Sequence, residues 1–160
     1  MTKVSIMGLS KKWSISAHPK WTFNIQLKTW FQKRMKGYTL HVPCGKTRFP
    51  NAINVDLDPN SVADIIADMF HLPFKSNTFD TIISDPPYKL AYDKRAKWVR
   101  ELLRVVKKEH GSRILLKLDF IPYFGPQWDL KELVVYQGKR YWAHVSLLLH
   151  YQFVNENLGR

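Results

Sequence analysis

Four consecutive residues, Asp85-Pro86-Pro87-Tyr88, combine reactive side chains with a stiff backbone. They follow an apolar run at residues 81–83 that is typical of a buried strand, so they are predicted to lie where that strand ends. Each proline fixes φ at about −65°, which makes the turn rigid, and each lacks an N–H. Asp85 and the Pro86 carbonyl could accept the two hydrogens of an amino group on a planar molecule, while Tyr88 stacks on its face.

Two other predicted strand ends belong beside this turn. Residues 38–42 are predicted to form a strand followed by a loop at 43–47, and residues 52–55 a second strand that ends in Asp56. In dinucleotide-binding folds the loop after the first strand approaches the ligand, and an acidic residue after the second binds ribose hydroxyls. The order of these segments indicates one parallel sheet with its ligand at the carboxyl ends of the strands.

The Asp-Pro-Pro-Tyr motif resembles the catalytic motif of the S-adenosylmethionine-dependent methyltransferases that modify the exocyclic amine of adenine or cytosine in DNA. The resemblance covers residues 38–120. It implies an α/β, Rossmann-like fold with a mostly parallel seven-stranded sheet, helices on both faces and a terminal β-hairpin. In this class the loop after the first strand is glycine-rich and passes beneath the methionine part of the cofactor. Here that loop has only Gly45, with Thr47 where a second glycine is usual.

The same resemblance assigns a cofactor site. Asp68 would hold the adenine amine of S-adenosylmethionine, the Met69 backbone would meet the ring, and Leu57 would add an apolar contact beside Asp56. Cys44 is interpreted as a small residue of a tight loop, because attack by an amine requires no thiol. The predicted cofactor residues are Pro43, Cys44, Gly45, Asp56, Leu57, Asp68, Met69 and Asp85.

The implied reaction is direct methyl transfer to an amine of a base that is flipped out of the helix or presented single-stranded. Asp85 and the Pro86 carbonyl would bind the amine, Pro87 would stiffen the turn, and Tyr88 would stack on the base. No metal is expected, since the six histidines show no Cys/His spacing suited to zinc. Basic residues after the motif are predicted to contact backbone phosphates: Lys89, Lys94 and Arg95.

Periodicity predicts the remaining elements. Helices are expected at residues 24–36 and 89–109, and strands at 113–118, 133–136 and 144–151, with a turn at 137–140 between the last two. The apolar face predicted for the second helix contains Val99, Leu102, Leu103 and Val106.

Charge indicates a polyanionic partner. The net charge is +12, and no Asp or Glu precedes residue 56. Lys and Arg that neutralise phosphates drive salt-sensitive nucleic-acid binding, and Trp13 and Trp21 lie among these charges where they could stack on bases. The segment before residue 22 is predicted to be a basic arm or a lid. The 160 residues are expected to form one domain without a separate target-recognition domain, so specificity would be low or supplied by a homodimer or another partner.

Three alternatives stay open. An RNA base-amine methyltransferase would have a similar motif and charge. A protein-glutamine methyltransferase usually has Asn in place of Asp85, and the positive charge argues against it. A non-catalytic nucleic-acid-binding protein could retain the fold with a degenerate cofactor loop. The single cysteine excludes an internal disulfide, and no stretch is apolar enough for a membrane span or signal segment, so a cytoplasmic protein is expected.

Overall fold

The computed structural model describes residues 1–7, 25–87, 90–137 and 145–154. Within them eight strands form one sheet, accompanied by two helices. The strands are β1 (Lys3–Met7), β2 (Thr39–His41), β3 (Ile53–Asp56), β4 (Ile65–Ile66), β5 (Thr81–Ser84), β6 (Arg113–Leu118), β7 (Trp128–Gln137) and β8 (Val145–Phe153). The helices are α1 (Ile25–Gln32) and α2 (Tyr92–Val105).

The strand order is β1-β7-β8-β6-β5-β2-β3-β4. All neighbouring pairs are parallel except β6 with β8 and β7 with β8, which are antiparallel. The chain proceeds outward from β2 to β4 on one side, then returns to β5 on the other side of β2. The switch point therefore lies between β2 and β5, and ligands of open α/β sheets bind there, at the carboxyl ends of the strands.

The middle strand β5 shows why a helix packs on each face of the sheet. All four of its residues are buried. Ile82 packs in one core cluster with Trp98 of α2, whereas Ile83 packs in the other with Phe31 of α1. Successive strand residues point to opposite faces, so a strand covered on both sides is buried along its whole length, and the hydroxyls of Thr81 and Ser84 in β5 are hydrogen-bonded.

Helix α1 buries Leu27, Trp30 and Phe31, which lie one turn apart along one face. It ends before the predicted bound of 36, and the Lys36 N–H donates to the Thr81 hydroxyl at 3.0 Å instead of to a helical carbonyl. The chain then turns at Gly37, whose φ of +62° lies in the left-handed region. A Cβ at this glycine would stand 2.5 Å from the Asp80 carboxylate. The turn into β2 thus requires glycine for both conformation and space.

Helix α2 is also shorter than predicted, and its buried face is rotated. The buried residues within it are Trp98, Leu102 and Val105. Val106 is buried as well, but in an extended conformation past the helix end, where it bridges to Phe79. The prediction omitted Trp98, whose large ring occupies the core where the half-buried Val99 was expected.

The predicted count of seven strands was wrong by one in the described residues. Residues 3–7, assigned to an arm, form the edge strand β1, which runs parallel to β7. Strand β7 begins at Trp128, before the predicted 133, with a register shift between Leu130 and Glu132. The predicted turn begins at Gln137, which belongs to β7, and the rest of it lies outside the described residues. So do Trp13 and Trp21.

The connections between β2 and β5 contain no helix; they are residues 42–52, 57–64 and 67–80. Asn54 organises the first of them. Its amide donates to the Phe49 and Ala52 carbonyls and to Asp64, and its oxygen accepts the Phe49 N–H, all between 2.9 and 3.0 Å. The Phe49 ring then packs edge-on to Phe31, filling a face that a crossover helix would normally cover.

No helix in the described part of the chain is long and apolar enough to cross a membrane.

Candidate active site

Asp56, the last residue of β3, binds the loop that follows β2. Its Oδ2 accepts the Gly45 N–H at 2.7 Å, and its Oδ1 accepts the Asp58 N–H at 2.9 Å. The Cys44 N–H donates to the Val55 carbonyl at 2.9 Å. Two of the predicted cofactor segments are therefore in direct contact, through a carboxylate that ties one strand end to the neighbouring loop.

The loop has one position that favours glycine. Gly45 has φ +53°, and a Cβ there would meet no atom within 4 Å, so the space beside it is open. Thr47, which stands where the resemblance leads one to expect a second glycine, is buried, and its N–H closes a turn on the Cys44 carbonyl at 3.0 Å. Burial raises the pKa of the Cys44 thiol to about 11. A thiol that stays protonated at neutral pH is a poor nucleophile.

Asp68 follows β4 on the next strand along the edge. Its Oδ1 accepts the Phe70 N–H at 2.9 Å, and this hydrogen bond is the main reason that its pKa is lowered. The Ala67 N–H donates to the Asp56 carbonyl at 2.9 Å. Asp68 is the next residue in the chain, so this hydrogen bond holds it near Asp56. Three further predicted cofactor residues differ in exposure: Leu57 is 65% exposed, Met69 packs partly against the core, and Pro43 is half-buried.

Asp85 follows β5 and forms an ion pair with Lys117 of β6. The lysine Nζ lies 3.3 Å from Oδ1 and 3.2 Å from Oδ2. The side chains are 24% exposed for Asp85 and 11% for Lys117. Burial raises the pKa of the Asp85 carboxyl, and the lysine charge partly offsets that effect. Sequence reasoning missed Lys117, although a lysine within the apolar run of β6 is an unusual residue that could have been noticed.

Ser84 joins the predicted catalytic turn to the cofactor loop. Its hydroxyl donates to the Val42 carbonyl and accepts the Trp98 indole N–H at 3.3 Å. The Val42 N–H in turn donates to the Ile83 carbonyl at 2.9 Å. Val42 immediately precedes the loop at 43–47, so a single buried hydroxyl sets the position of both segments relative to α2. This residue too was absent from the predicted site.

The turn after β5 is only partly described. Pro86 is buried and Pro87 exposed, and the Pro87 carbonyl accepts the Leu90 N–H at 3.0 Å. Tyr88 and Lys89 lie outside the described residues, so their stacking and phosphate contacts stay predictions.

The two other basic residues predicted to contact phosphates differ in environment. Lys94 is exposed in the first turn of α2. The Arg95 guanidinium lies 4.1 Å from the centre of the Phe120 ring, and its Nε donates to the Leu90 carbonyl at 3.2 Å. These two contacts hold the Arg95 side chain against the protein just after the turn. Lys94 is therefore the more accessible of the two charges.

The loop after β6 presents two apolar side chains at the same edge of the sheet. Ile121 is 55% exposed and Tyr123 is 78% exposed, whereas Pro122 and Phe124 are buried. The Tyr151 hydroxyl donates to the Pro122 carbonyl at 2.7 Å, which holds the loop to β8. Buried and exposed residues thus alternate along this loop. The exposed Tyr123 ring lies between two buried residues, Pro122 and Phe124, which fix the backbone on either side of it.

The fold is similar to those of solved methyltransferases. A SAM-dependent methyltransferase from Methanosarcina mazei is 10% identical with a TM-score of 0.58, covering 79% of this chain and 98% of that one. The N-methyltransferase NodS from Bradyrhizobium japonicum is 12% identical with a TM-score of 0.57, covering 74% and 86%. TrmN from Thermus thermophilus is 16% identical with a TM-score of 0.50, covering 73% of this chain and 44% of TrmN.

No protein-family model matches the sequence, and no curated protein matches it either. At these identities the likeness shows the fold. The chain has the α/β fold of S-adenosylmethionine-dependent methyltransferases, with a mixed, mostly parallel sheet. The Methanosarcina mazei protein among them is described as dependent on S-adenosylmethionine.

Proposed function

We propose that this protein is an S-adenosylmethionine-dependent methyltransferase that acts on the exocyclic amine of adenine or cytosine in DNA. The observation that carries the proposal is the largely buried Asp85 carboxylate at the end of β5. It lies beside the switch point of the sheet and is connected to the cofactor loop through Ser84.

The residues at the edge of the sheet fit the cofactor. The open space beside Gly45 suits a ligand that passes close to the backbone, and Asp56 would bind the ribose hydroxyls with lone pairs not used by its two N–H contacts. Asp68 would accept the adenine amine, with Leu57 and the Met69 backbone against the ring. When bound, S-adenosylmethionine supplies an electrophilic methyl group on a sulfonium.

Asp85 would orient the substrate amine and later remove its proton. A carboxylate that accepts an N–H draws the amine nitrogen towards tetrahedral geometry and makes its lone pair available. Positive charge that develops on this nitrogen is stabilised by a preorganised carboxylate that Lys117 holds in place. Because burial raises the pKa of Asp85, it is also a stronger proton acceptor than an exposed aspartate.

Charge and exposed rings support a nucleic-acid substrate. The protein carries a net charge of +12, and α2 begins beside the Asp85 turn with exposed Lys94, Lys97 and Arg100. Tyr92 at the start of α2 and Tyr123 after β6 are 87% and 78% exposed. Aromatic rings among basic residues bind unpaired bases by stacking while the charges follow the backbone.

The described residues form one sheet with its helices, and we assign none of them to a target-recognition domain. We therefore propose low sequence specificity, or specificity supplied by a homodimer or a partner protein.

The proposal is tested by transfer of labelled methyl from S-adenosylmethionine to duplex DNA, single-stranded DNA and total RNA, with nucleoside analysis of the products. Asp85→Asn should abolish transfer. Asp129→Asn is the matched control, because it neutralises an exposed aspartate of β7 that pairs with Lys131.

Label in methyladenine or methylcytosine from DNA would support the proposal and identify the base. Label confined to RNA would replace it with the RNA base-amine alternative. Absence of both transfer and S-adenosylmethionine binding would leave the non-catalytic nucleic-acid-binding alternative.

A further inference from the structure

Lys117 is a charged residue between buried apolar residues of β6. In β6 it is surrounded by buried residues, namely Ile114, Leu115, Leu116 and Leu118. An ammonium with so little exposure is costly to bury unless it is paired, so its place in this strand requires a partner. That partner is the Asp85 carboxylate, with both oxygens within 3.3 Å of Nζ.

We propose that Lys117 is a positioning residue for methyl transfer, which holds the Asp85 carboxylate ionised and in a fixed orientation toward the substrate amine. The inference rests on the function proposed above. It assigns to β6 a part in the reaction that the Asp-Pro-Pro-Tyr motif does not contain.

Strand register brings the pair together. In the parallel ladder of β5 and β6, Ser84 lies opposite Leu116. The next residues along the two strands are Asp85 and Lys117, and their side chains lie on the same face of the sheet. The lysine is thus delivered by the sheet itself, so its position does not depend on the conformation of a loop.

The two nearly equal distances show how the carboxylate is held. An ammonium 3.3 Å from Oδ1 and 3.2 Å from Oδ2 lies near the midline of the carboxylate and restricts rotation of its plane. An ionised carboxylate has about four lone-pair positions, so it can accept from Lys117 and still accept an amine hydrogen. A protonated carboxyl would present a hydroxyl to the substrate at one of its two oxygens.

The charge of Lys117 also favours the ionised form of Asp85. Lys117 is the one charged group in the described part of the chain that acts on the Asp85 carboxyl, and it opposes the effect of burial. An opposite charge at this distance lowers the pKa of an aspartate by roughly 1–3 units. Without it, Asp85 would be protonated up to a higher pH, and a protonated Asp85 would no longer accept amine hydrogens at both oxygens.

The direct test is an NMR titration of the Asp85 carboxyl carbon in protein labelled with ¹³C at aspartate, with the resonance assigned by its loss in Asp85→Asn. We expect Lys117→Met to raise the pKa of Asp85 by roughly 1–3 units. Lys117→Arg, which keeps the charge, should leave the pKa of Asp85 close to that in the original protein.

Lys131→Met is the matched control, because it removes an ammonium that pairs with Asp129 in an exposed part of β7. An unchanged Asp85 pKa in Lys117→Met would overturn the proposal. If Lys117→Met does not fold, the Asp85 carboxyl is titrated in Lys117→Gln instead, and the same shift is expected.

Methyl-transfer kinetics supply the second readout. Because the ionised carboxylate is the active form, a higher Asp85 pKa should move the acidic limb of the kcat profile to higher pH in Lys117→Met, with unchanged affinity for S-adenosylmethionine. An equal loss of kcat at every pH would indicate structural support alone and overturn the positioning role. The NMR titration uses neither cofactor nor substrate, so it decides the ion-pair inference even if the original protein transfers methyl to nothing and the proposed function fails.

Discussion

His41, at the end of β2, should make the folded protein sensitive to acid. Its side chain is fully buried, its Nδ1 lies 3.2 Å from the Asn54 Oδ1, and its ring packs edge-on to Phe49. Burial lowers the pKa of His41 to about 4. In the unfolded chain a histidine has a pKa of about 6.5. The folded value lies below the unfolded value, so the stabilisation is complete above pH 6.5 and is lost as the pH falls toward 4.

The size of the effect follows from proton linkage. Between pH 7 and pH 5 the unfolded chain gains about 0.7 proton at this histidine, whereas the folded protein gains about 0.1. Integrating over that interval gives a loss of about 2 kcal/mol in the free energy of unfolding. This is a large fraction of the total stability of a domain of this size, which is about 5–15 kcal/mol.

Urea unfolding of the original protein and of His41→Gln at pH 7, 6 and 5 measures this quantity. Glutamine offers Asn54 an amide but does not titrate, so the variant should lose about 2 kcal/mol less than the original protein over the interval. The pKa of His150 is also lowered to about 4, but that residue is present in both proteins and its effect cancels in the difference. Equal pH dependence of the two proteins would refute the reasoning.

Three further variants test the site itself. Asp56→Ala removes the acceptor of the Gly45 N–H and should weaken S-adenosylmethionine binding at least roughly ten-fold in calorimetry; unchanged affinity would contradict the assigned cofactor site. Ser84→Ala removes the partner of the Trp98 indole and should lower the free energy of unfolding in urea by about 1–3 kcal/mol, so an unaltered midpoint would count against its joining role. Tyr123→Ala should weaken single-stranded DNA binding in fluorescence anisotropy by about 1–3 kcal/mol without changing the melting temperature, and normal binding would exclude this ring from the interface.

Much of the sheet could be predicted because its central strands are buried on both faces. A strand covered on two sides is mostly apolar, and the largely apolar run at 113–118 coincides with β6 as observed. Strands β2 and β3 lie within a residue of their predicted bounds. The contact between Gly45 and Asp56 also agrees with expectation, because successive parallel strands bring their carboxyl ends to one edge.

What could not be predicted depends on partners that are distant in sequence. Residues 3–7 become a strand only because Glu132 and its neighbours in β7 offer a free edge. The pairing of Lys117 with Asp85 depends on the register of β6 against β5, which local periodicity does not contain. The rotated face of α2 reflects the volume of Trp98, since a large ring gains more from burial than a valine does.

The strand order has a consequence for how the protein folds. Strand β8 follows the other seven described strands in the chain, yet it lies between β6 and β7. Among the described residues, β7 and β1 join the rest of the sheet through β8. During synthesis β1 is made first, but its place in the sheet exists only after β7 and β8 have paired. The central strands from β2 to β6 can associate earlier, because each neighbour is already available. Contacts between segments so far apart in sequence are slow to form, so assembly of the N-terminal edge is expected to be the last and slowest stage of folding.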